Sequence, residues 1–422
     1  MRGFIFLCVS CLIAPAALYS QVPQPRTARD SLARADSTAR ADSIALVREL
    51  EGIQPQPDTA GRTRQQTSTN TRLLPDVSVV GDMIADLSPD GSTQEGEARL
   101  GIREVEVAIQ AAVDPYFRGD VFLGVSDEEG ISIEQAFLTT TALPFSVEAR
   151  LGRFLMPFGK QNQLHRHDLH TIEHSYVVQD FFSPEGLKGT GVTVSKVLAP
   201  LGFYQELQLS LVDRIGERDG SLISPEPPNR DLGGLGYAAR LRNYFDLSQA
   251  ANLEIGASAL TSEREQPLLT AIPDNGDPAI EINAYNQRQS VIAADVTYRW
   301  RPLQQGIYQS LILQGEVMQQ RNPEVTIPEN LGPTGNRVGA YAYGRYQMTR
   351  RTFVGARYDF VEGAAGNDTN TTAGSGYIEF FPSEFSKLVA GYERLKRGGD
   401  NALNRFILQA AFSLGPHKPH PF

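Results

Sequence analysis

All six histidines of this 422-residue chain fall in two clusters. His165, His167, His170 and His174 form the first, and His417 and His420 form the second. In the first, Leu164-His-Arg-His-Asp168 runs on through His170 and Glu173 to His174, so imidazoles and carboxylates are interleaved. That donor set suits Zn²⁺ or another divalent transition metal, with His165, His167, His170, Glu173 and His174 as candidate ligands. On a helix, His167, His170 and His174 would share one face at i, i+3 and i+7. A second chemistry needs no metal. Lys160, Arg166, Asp168 and Lys188 bracket the same stretch, and a charged ring at a narrow point is how a pore selects ions. The plainest alternative is that the histidines only bond a loop to its surroundings. For the second cluster, a metal contact competes with a solvated tail.

Catalytic motifs are absent. There is no His-Glu-x-x-His and no Gly-x-Ser-x-Gly, and Asp168 beside His165 or His170 makes a poor catalytic pair. Gly189-Thr-Gly191 opens a strand rather than a helix, so it is no phosphate loop. The expectation is a protein that is not an enzyme and requires no cofactor.

The elements that must position these residues alternate with period two between Asp76 and Leu414. Sixteen such segments can be read, at 77–87, 98–112, 116–126, 130–142, 145–156, 188–198, 203–213, 234–245, 252–262, 288–301, 307–319, 337–349, 352–362, 372–381, 386–396 and 404–414. In the tenth, Ile292, Ala294, Val296, Tyr298 and Trp300 share a face opposite Gln289, Asp295, Thr297, Arg299 and Arg301. Short connectors such as Asp114-Pro115 and Arg350-Arg351 take turns with long ones such as 157–187 and 263–287; 127–129 is a short exception. Short turns at one end and long loops at the other is the asymmetry of an outer-membrane barrel. Tyr298, Trp300, Tyr308 and Phe353 near the short turns suit the headgroup layer.

The fold expected is therefore all-β: a transmembrane antiparallel β-barrel of about sixteen strands, over 76–414. An even count puts both chain ends on the periplasmic side. The histidine-bearing 157–187 becomes the third long-end loop, the one that can fold inward. Lumen-facing charges are mixed: Glu104, Glu106, Arg240, Arg242, Asp295, Arg299 and Arg357, with Glu148, Arg301 and Glu316 besides.

The ends differ from the barrel. Arg2, the apolar run Phe4–Ala17 and the small residues before Gln21 read as a signal peptide over 1–20, too short for a spanning helix. Both cysteines, Cys8 and Cys11, lie within it; a lipid-anchored reading of Cys11 is the alternative. Residues 21–75 carry three hexads beginning at Asp30, Asp36 and Asp42, then a Gln-, Pro- and Thr-rich stretch. This reads as a helical or flexible periplasmic segment, or a short oligomerising helix. Residues 415–422 form a histidine-containing periplasmic tail. A net charge of −10 argues against nucleic acid as a partner.

Ile133-Glu-Gln-Ala-Phe-Leu, Leu143-Pro-Phe and Glu148-Ala-Arg-Leu-Gly-Arg-Phe-Leu-Met-Pro-Phe-Gly159 resemble the phosphate-selective porin O and P family. The resemblance implies a sixteen-stranded diffusion channel in the outer-membrane lipid, as a homo-trimer or a monomer, passing small solutes or ions. Phosphate selectivity would need a run of basic lumen residues, which the mixed charges do not supply. Phe158 to His167, Phe181 to Leu187 and the Gly415–Phe422 tail are also similar to proteins described as zinc-regulated outer-membrane receptors. That likeness implies a metal-binding receptor or uptake barrel with a closed pore. Energy-coupled uptake would need a plug domain far larger than residues 21–75.

Overall fold

A computed structural model describes residues 75–415, apart from 95–96, 127–129, 199–200, 214, 216–231, 264–267, 272–279, 284–287, 322–335 and 364–369. The expected signal peptide, all but the last residue of the helical or flexible segment 21–75, and nearly all of the histidine tail lie outside the described residues.

Sixteen strands form one closed antiparallel barrel. In chain order they are β1 (Asp76–Asp86), β2 (Leu100–Ala112), β3 (Phe117–Ser126), β4 (Gly130–Thr140), β5 (Val147–Leu155), β6 (Lys188–Leu198), β7 (Tyr204–Val212) and β8 (Gly236–Ser248). The second half is β9 (Ala251–Glu263), β10 (Arg288–Trp300), β11 (Leu311–Arg321), β12 (Arg337–Gln347), β13 (Thr352–Val361), β14 (Thr371–Ser383), β15 (Ser386–Arg397) and β16 (Leu403–Leu414). Each strand pairs with its chain neighbours, and β1 closes on β16 with Val79 opposite Leu414 and Asp86 opposite Ile407. Closure leaves no edge with unpaired backbone groups, the condition for a sheet to sit in lipid. Strand limits agree closely with the alternation; the widest departure is at β11, which begins at Leu311 rather than Ile307. A short hairpin, Leu268–Ala271 with Ile280–Asn283, lies in the long connector after β9 and was not anticipated.

The barrel is inverted relative to a soluble protein. On β10, Ile292, Ala294 and Val296 are exposed while Gln289, Asp295 and Thr297 are buried. On β16, Phe406, Leu408, Phe412 and Leu414 point out and Arg405, Gln409 and Ser413 point in. Apolar side chains outside and polar ones inside fit a wall between lipid and lumen.

Four register shifts interrupt the pairing, and two of them, in β2 and β4, place extra side chains in the lumen. Asp82 pairs with Glu104 but Met83 with Ile102, so Arg103 is an extra residue in β2. Phe122 pairs with Gln135 but Leu123 with Ile133, which makes Glu134 the extra residue in β4. A bulge sends two successive side chains to the same face. Here Arg103 and Glu104, and Glu134 and Gln135, all enter the lumen.

Candidate functional site: a loop packed inside the barrel

After Leu155 the chain turns into the barrel and returns to the wall at Lys188. Its apolar content explains why. Phe154, Met156, Phe158, Tyr176, Val177, Val178, Phe181 and Leu187 are buried in one cluster with Val212, Ala238, Leu260, Val291, Met318, Tyr341, Tyr343 and Val361. Those wall residues come from β7 to β13. Each large side chain so buried is worth about 1.5–3 kcal/mol, enough to hold the loop inside. The one α-helix of the segment, α1 (Tyr176–Phe181), supplies four of the buried residues.

Entry into the lumen depends on Gly159, whose φ of +57° lies in the left-handed region. A side chain there would overlap the Glu316 carboxylate. From this turn, Gly159 N–H donates to Ser258 Oγ at 3.0 Å and Lys160 N–H to Glu316 Oε1 at 3.2 Å. Lys160 Nζ then reaches Glu254 at 2.7 Å. Arg242 Nε (2.9 Å) and Arg299 (3.2 Å) converge on the same carboxylate. Three cations around one carboxylate leave a local positive excess that Glu206, 3.4 Å from Arg242, balances only in part.

The opposite face of the loop is polar. A cavity of about 810 Å³ opens beside it, lined among others by Arg103, Glu104 and Glu134 of the wall and Arg166, Glu173 and Glu185 of the loop. The loop thus packs its apolar face against β7–β13 and leaves a wet space along β1–β4, β15 and β16.

On the wet side the loop is tied to the wall. Glu173 accepts two bonds from Arg405, at 3.1 and 3.2 Å. Tyr176 OH donates to Glu393 at 2.6 Å, and Arg405 bonds to both. Four backbone carbonyls of the loop accept from wall cations. Lys387 Nζ donates to His167 O (2.6 Å) and Leu169 O (2.9 Å), Arg103 to Ile172 O (3.0 Å), and Arg357 to Glu173 O (2.7 Å). Arg103 is itself paired with Asp82. Ile172 sits over Gly391, where a Cβ would stand 2.6 Å from Ile172 Cδ1.

The candidate metal ligands go to separate partners. His165 Nδ1 lies 2.7 Å from Glu106 and its Nε2 lies 2.7 Å from the Gln135 amide; its ring stacks on His167 at 5.6 Å and lies tilted against Phe122 at 5.2 Å. His167 Nε2 is 3.6 Å from Asp168. His170 meets the Tyr343 ring edge-on at 6.3 Å. His174 Nδ1 donates to Pro184 O at 3.0 Å, and Glu173 goes to Arg405. Among the described residues no group of three His, Cys, Asp or Glu side chains converges as a metal centre. Nor does the shared helical face form. Residues 166–168 make a single 3₁₀ turn, and the chain then runs through bends without helix until α1. The carbonyls a helix there would use are taken by Lys387, Arg103 and Arg357.

Burial and charge set the ionisation of the loop. Burial would raise the Glu173 carboxyl, but Arg405 and Arg103 override it and bring it down to about 2. Burial disfavours a charged His165, yet the Glu106 carboxylate prevails and raises the imidazole above its ordinary value. Burial pushes His167 down, and His174 to about 4.

The remaining expected residues are placed as follows. Arg240 and Asp295 form a bidentate pair at 2.9 and 3.2 Å, and Arg357 pairs with Asp359 at 2.6 Å. Lys188 joins Glu134 to Glu185, and Glu104 and Arg166 line the wet cavity. Glu148 pairs with Arg150 at 3.3 Å, and Arg301 turns to Gly306 O in a short connector, away from the lumen face. Arg405, on the polar face of the last segment, and Glu393 and Lys387 were not among the expected site residues, although period two already put them inside. Arg103 and Glu134 could not be found that way, because each is the extra residue of a bulge.

The fold and this loop define a porin-type barrel with an internal loop. No family model matches the chain. A relative, an uncharacterized protein of Aquifex aeolicus (strain VF5), is 27% identical over 362 residues, covering 79% of this chain and 73% of its own length. Three solved structures resemble the barrel. A loop L8 deletion mutant of OmpT, an outer membrane protein of Vibrio cholerae, gives a TM-score of 0.52 at 12% identity, over 81% of this chain and 99% of that one. The anion-selective porin from Comamonas acidovorans gives 0.50 at 9% identity, over 81% and 99%. The outer membrane channel DcaP of Acinetobacter baumannii gives 0.50 at 14%, over 81% and 96%. At such identities the likeness is one of fold.

Proposed function

We propose that the chain is an outer-membrane porin: a passive channel for small solutes or ions, with loop 156–187 as its constriction and no catalytic role. The observation that carries this is the polar, charge-lined cavity of about 810 Å³ that ends on a loop fixed inside the barrel. A wide polar mouth above a narrow charged passage is how a pore sorts small solutes. The apolar outer wall fits membrane lipid, and the long-loop end would face outward with both termini periplasmic. A porin and an outer-membrane channel among the structural neighbours support this reading. A homo-trimer or a monomer is compatible with it. Single-channel recording in planar bilayers tests it: discrete open-pore currents are expected, and purified folded protein that gives none overturns it.

A second reading, a metal-binding receptor barrel with a closed pore, draws on His165 and His167 stacked beside Glu106 and Asp168. These could start a Zn²⁺ site if a further ligand, such as His170, moved in. The same recording separates the two. Zn²⁺ that blocks wild type but not His167→Ala/His170→Ala would place metal on the loop, and an unchanged block would remove that idea.

A further inference from the structure

Two departures from the strand pattern meet at one point of the wall. β3 runs between β2 and β4, and the register sets Gly124 opposite Glu106 on one side and Ser132 on the other. The bulges in β2 and β4 turn Glu104 and Glu134 towards that glycine from either flank. A Cβ at Gly124 would stand 3.0 Å from Glu104 Oε1 and 3.1 Å from both Glu134 Oε1 and Ser132 Oγ. Gly124 therefore floors a recess whose rim is made of carboxylate and hydroxyl oxygens. Bulges are favoured where a wall must re-aim a side chain beside a functional site.

The recess adjoins a niche of about 20 Å³ bordered by Glu104, Glu134, Gln135, Arg166, Glu185 and Lys188. About 15 Å³ suffices for one water-sized group, such as an ammonium. Glu104, Glu134, Arg166 and Glu185 also line the cavity of about 810 Å³, so the niche is a side chamber of it. Its charges do not balance. Lys188 lies between Glu134 and Glu185 and serves both. Among the described residues neither Glu104 nor Arg166 takes an ion pair or a side-chain hydrogen bond. A carboxylate held beside two others with no cation of its own is disfavoured until a positive group arrives. No metal answers this, because among the described residues no three carboxylate or imidazole groups converge to hold one. An ammonium can donate to Glu104 and Glu134 at once.

We propose that this niche binds a small zwitterion of the α-amino acid type. Its ammonium sits over Gly124 between Glu104 and Glu134, its carboxylate pairs with Arg166, and its side chain extends into the wide cavity. Two opposite charges on one carbon match two unmatched charges on one niche. A lone cation would leave Arg166 unanswered, and a lone anion would leave Glu104 so. The proposal gives the channel a solute class and rests on that reading.

Saturation-transfer NMR titrations on the folded, detergent-solubilised full chain test it. The probes are L-alanine, N-acetyl-L-alanine, which lacks the ammonium, and L-alaninamide, which lacks the carboxylate. Wild type should bind L-alanine about tenfold more tightly than either one-ended probe, the cost of leaving one charge of the niche unanswered. Glu104→Gln should abolish the preference for alanine over N-acetylalanine, and Arg166→Gln the preference over alaninamide. Gly124→Ala keeps every charge but fills the recess, and should weaken alanine binding by a similar factor. Glu384→Gln, on an exposed short turn, should change nothing. Equal binding of the three probes to wild type overturns the proposal, as does an equal loss in Glu384→Gln. So does a Glu104→Gln protein with intact circular dichroism that still prefers alanine to N-acetylalanine. Should that variant not fold, Arg166→Lys decides: it should keep part of the preference that Arg166→Gln loses, and equal behaviour of the two overturns the site. Binding is read here without a pore. An absent current with intact binding therefore removes the channel reading alone, and an open pore with no preference for alanine removes the niche alone.

Discussion

Glu173, in the middle of the internal loop, and Arg405, near the start of β16, meet through two bonds of 3.1 and 3.2 Å across 232 residues of chain. The pair joins the part of the molecule that narrows the lumen to the strand that closes the barrel. Tyr176 and Glu393 share the same guanidinium, so one cation organises three groups.

Arg405→Gln should therefore loosen the loop more than it harms the wall. Removing one partner of a buried pair costs about 3 kcal/mol, chiefly because the carboxylates of Glu173 and Glu393 stay behind unmatched. A lower temperature of heat-modified mobility on gels and a larger, noisier single-channel current are expected. Glu173→Gln/Arg405→Gln should recover part of the lost stability. A double variant no better than the single would show that the two residues are not coupled.

Acidity should reach the loop through its histidines, not through this pair. Glu173 is held at about 2, so its contribution is complete above the ordinary carboxyl value of 4.5 and fades only as pH falls towards 2. His165 is raised by Glu106, so that tie is complete below pH 6.5 and is lost as pH climbs through the raised value. His174 acts in the opposite sense: it stays neutral in the fold down to about 4, and stability drops as pH falls from 6.5 towards 4. Recordings between pH 6 and 9 should grow noisier as His165 lets go. His165→Gln should flatten that dependence, and a wild type that shows none would contradict it.

At Gly159 a methyl group has no room. Gly159→Ala combines a left-handed backbone, which costs a non-glycine residue about 1 kcal/mol, with a collision at Glu316. The loop should start from a displaced turn. Expected are a lower unfolding temperature and an altered conductance with the barrel still formed, as judged by the β-signal in circular dichroism. Unchanged conductance would mean that the turn does not set the loop's path.

Among the described residues, Glu254 is the one carboxylate shared by Lys160, Arg242 and Arg299. Glu254→Gln should turn a local excess of positive charge into a larger one and shift permeability towards anions. Reversal potentials in a tenfold salt gradient measure this. An unchanged reversal potential would show that the cluster does not face the conducting path.

The barrel was legible because lipid imposes a strict rule: every second side chain on each strand must be apolar, and β10 and β16 obey it almost to the residue. The rule is silent where a residue is added, which is why Arg103 and Glu134 were hidden in bulges. The loop was less legible still. Its histidine spacing suits a helix, yet the carbonyls of His167, Leu169 and Ile172 are captured by Lys387 and Arg103, cations more than sixty residues away in the chain. No local pattern carries that information. One signal was present and passed over. The run Tyr176-Val-Val-Gln-Asp-Phe-Phe182 is too apolar for a loop in water, and it is what packs against β7–β13.

Ile172 resting over Gly391 also links two distant codons. Any lineage that enlarges residue 391 would have to shrink residue 172 in step, or lose the seat of the loop. The traffic through the lumen can diverge between descendants only along paths that keep this fit. In such a protein the wall records which loops it has been able to hold.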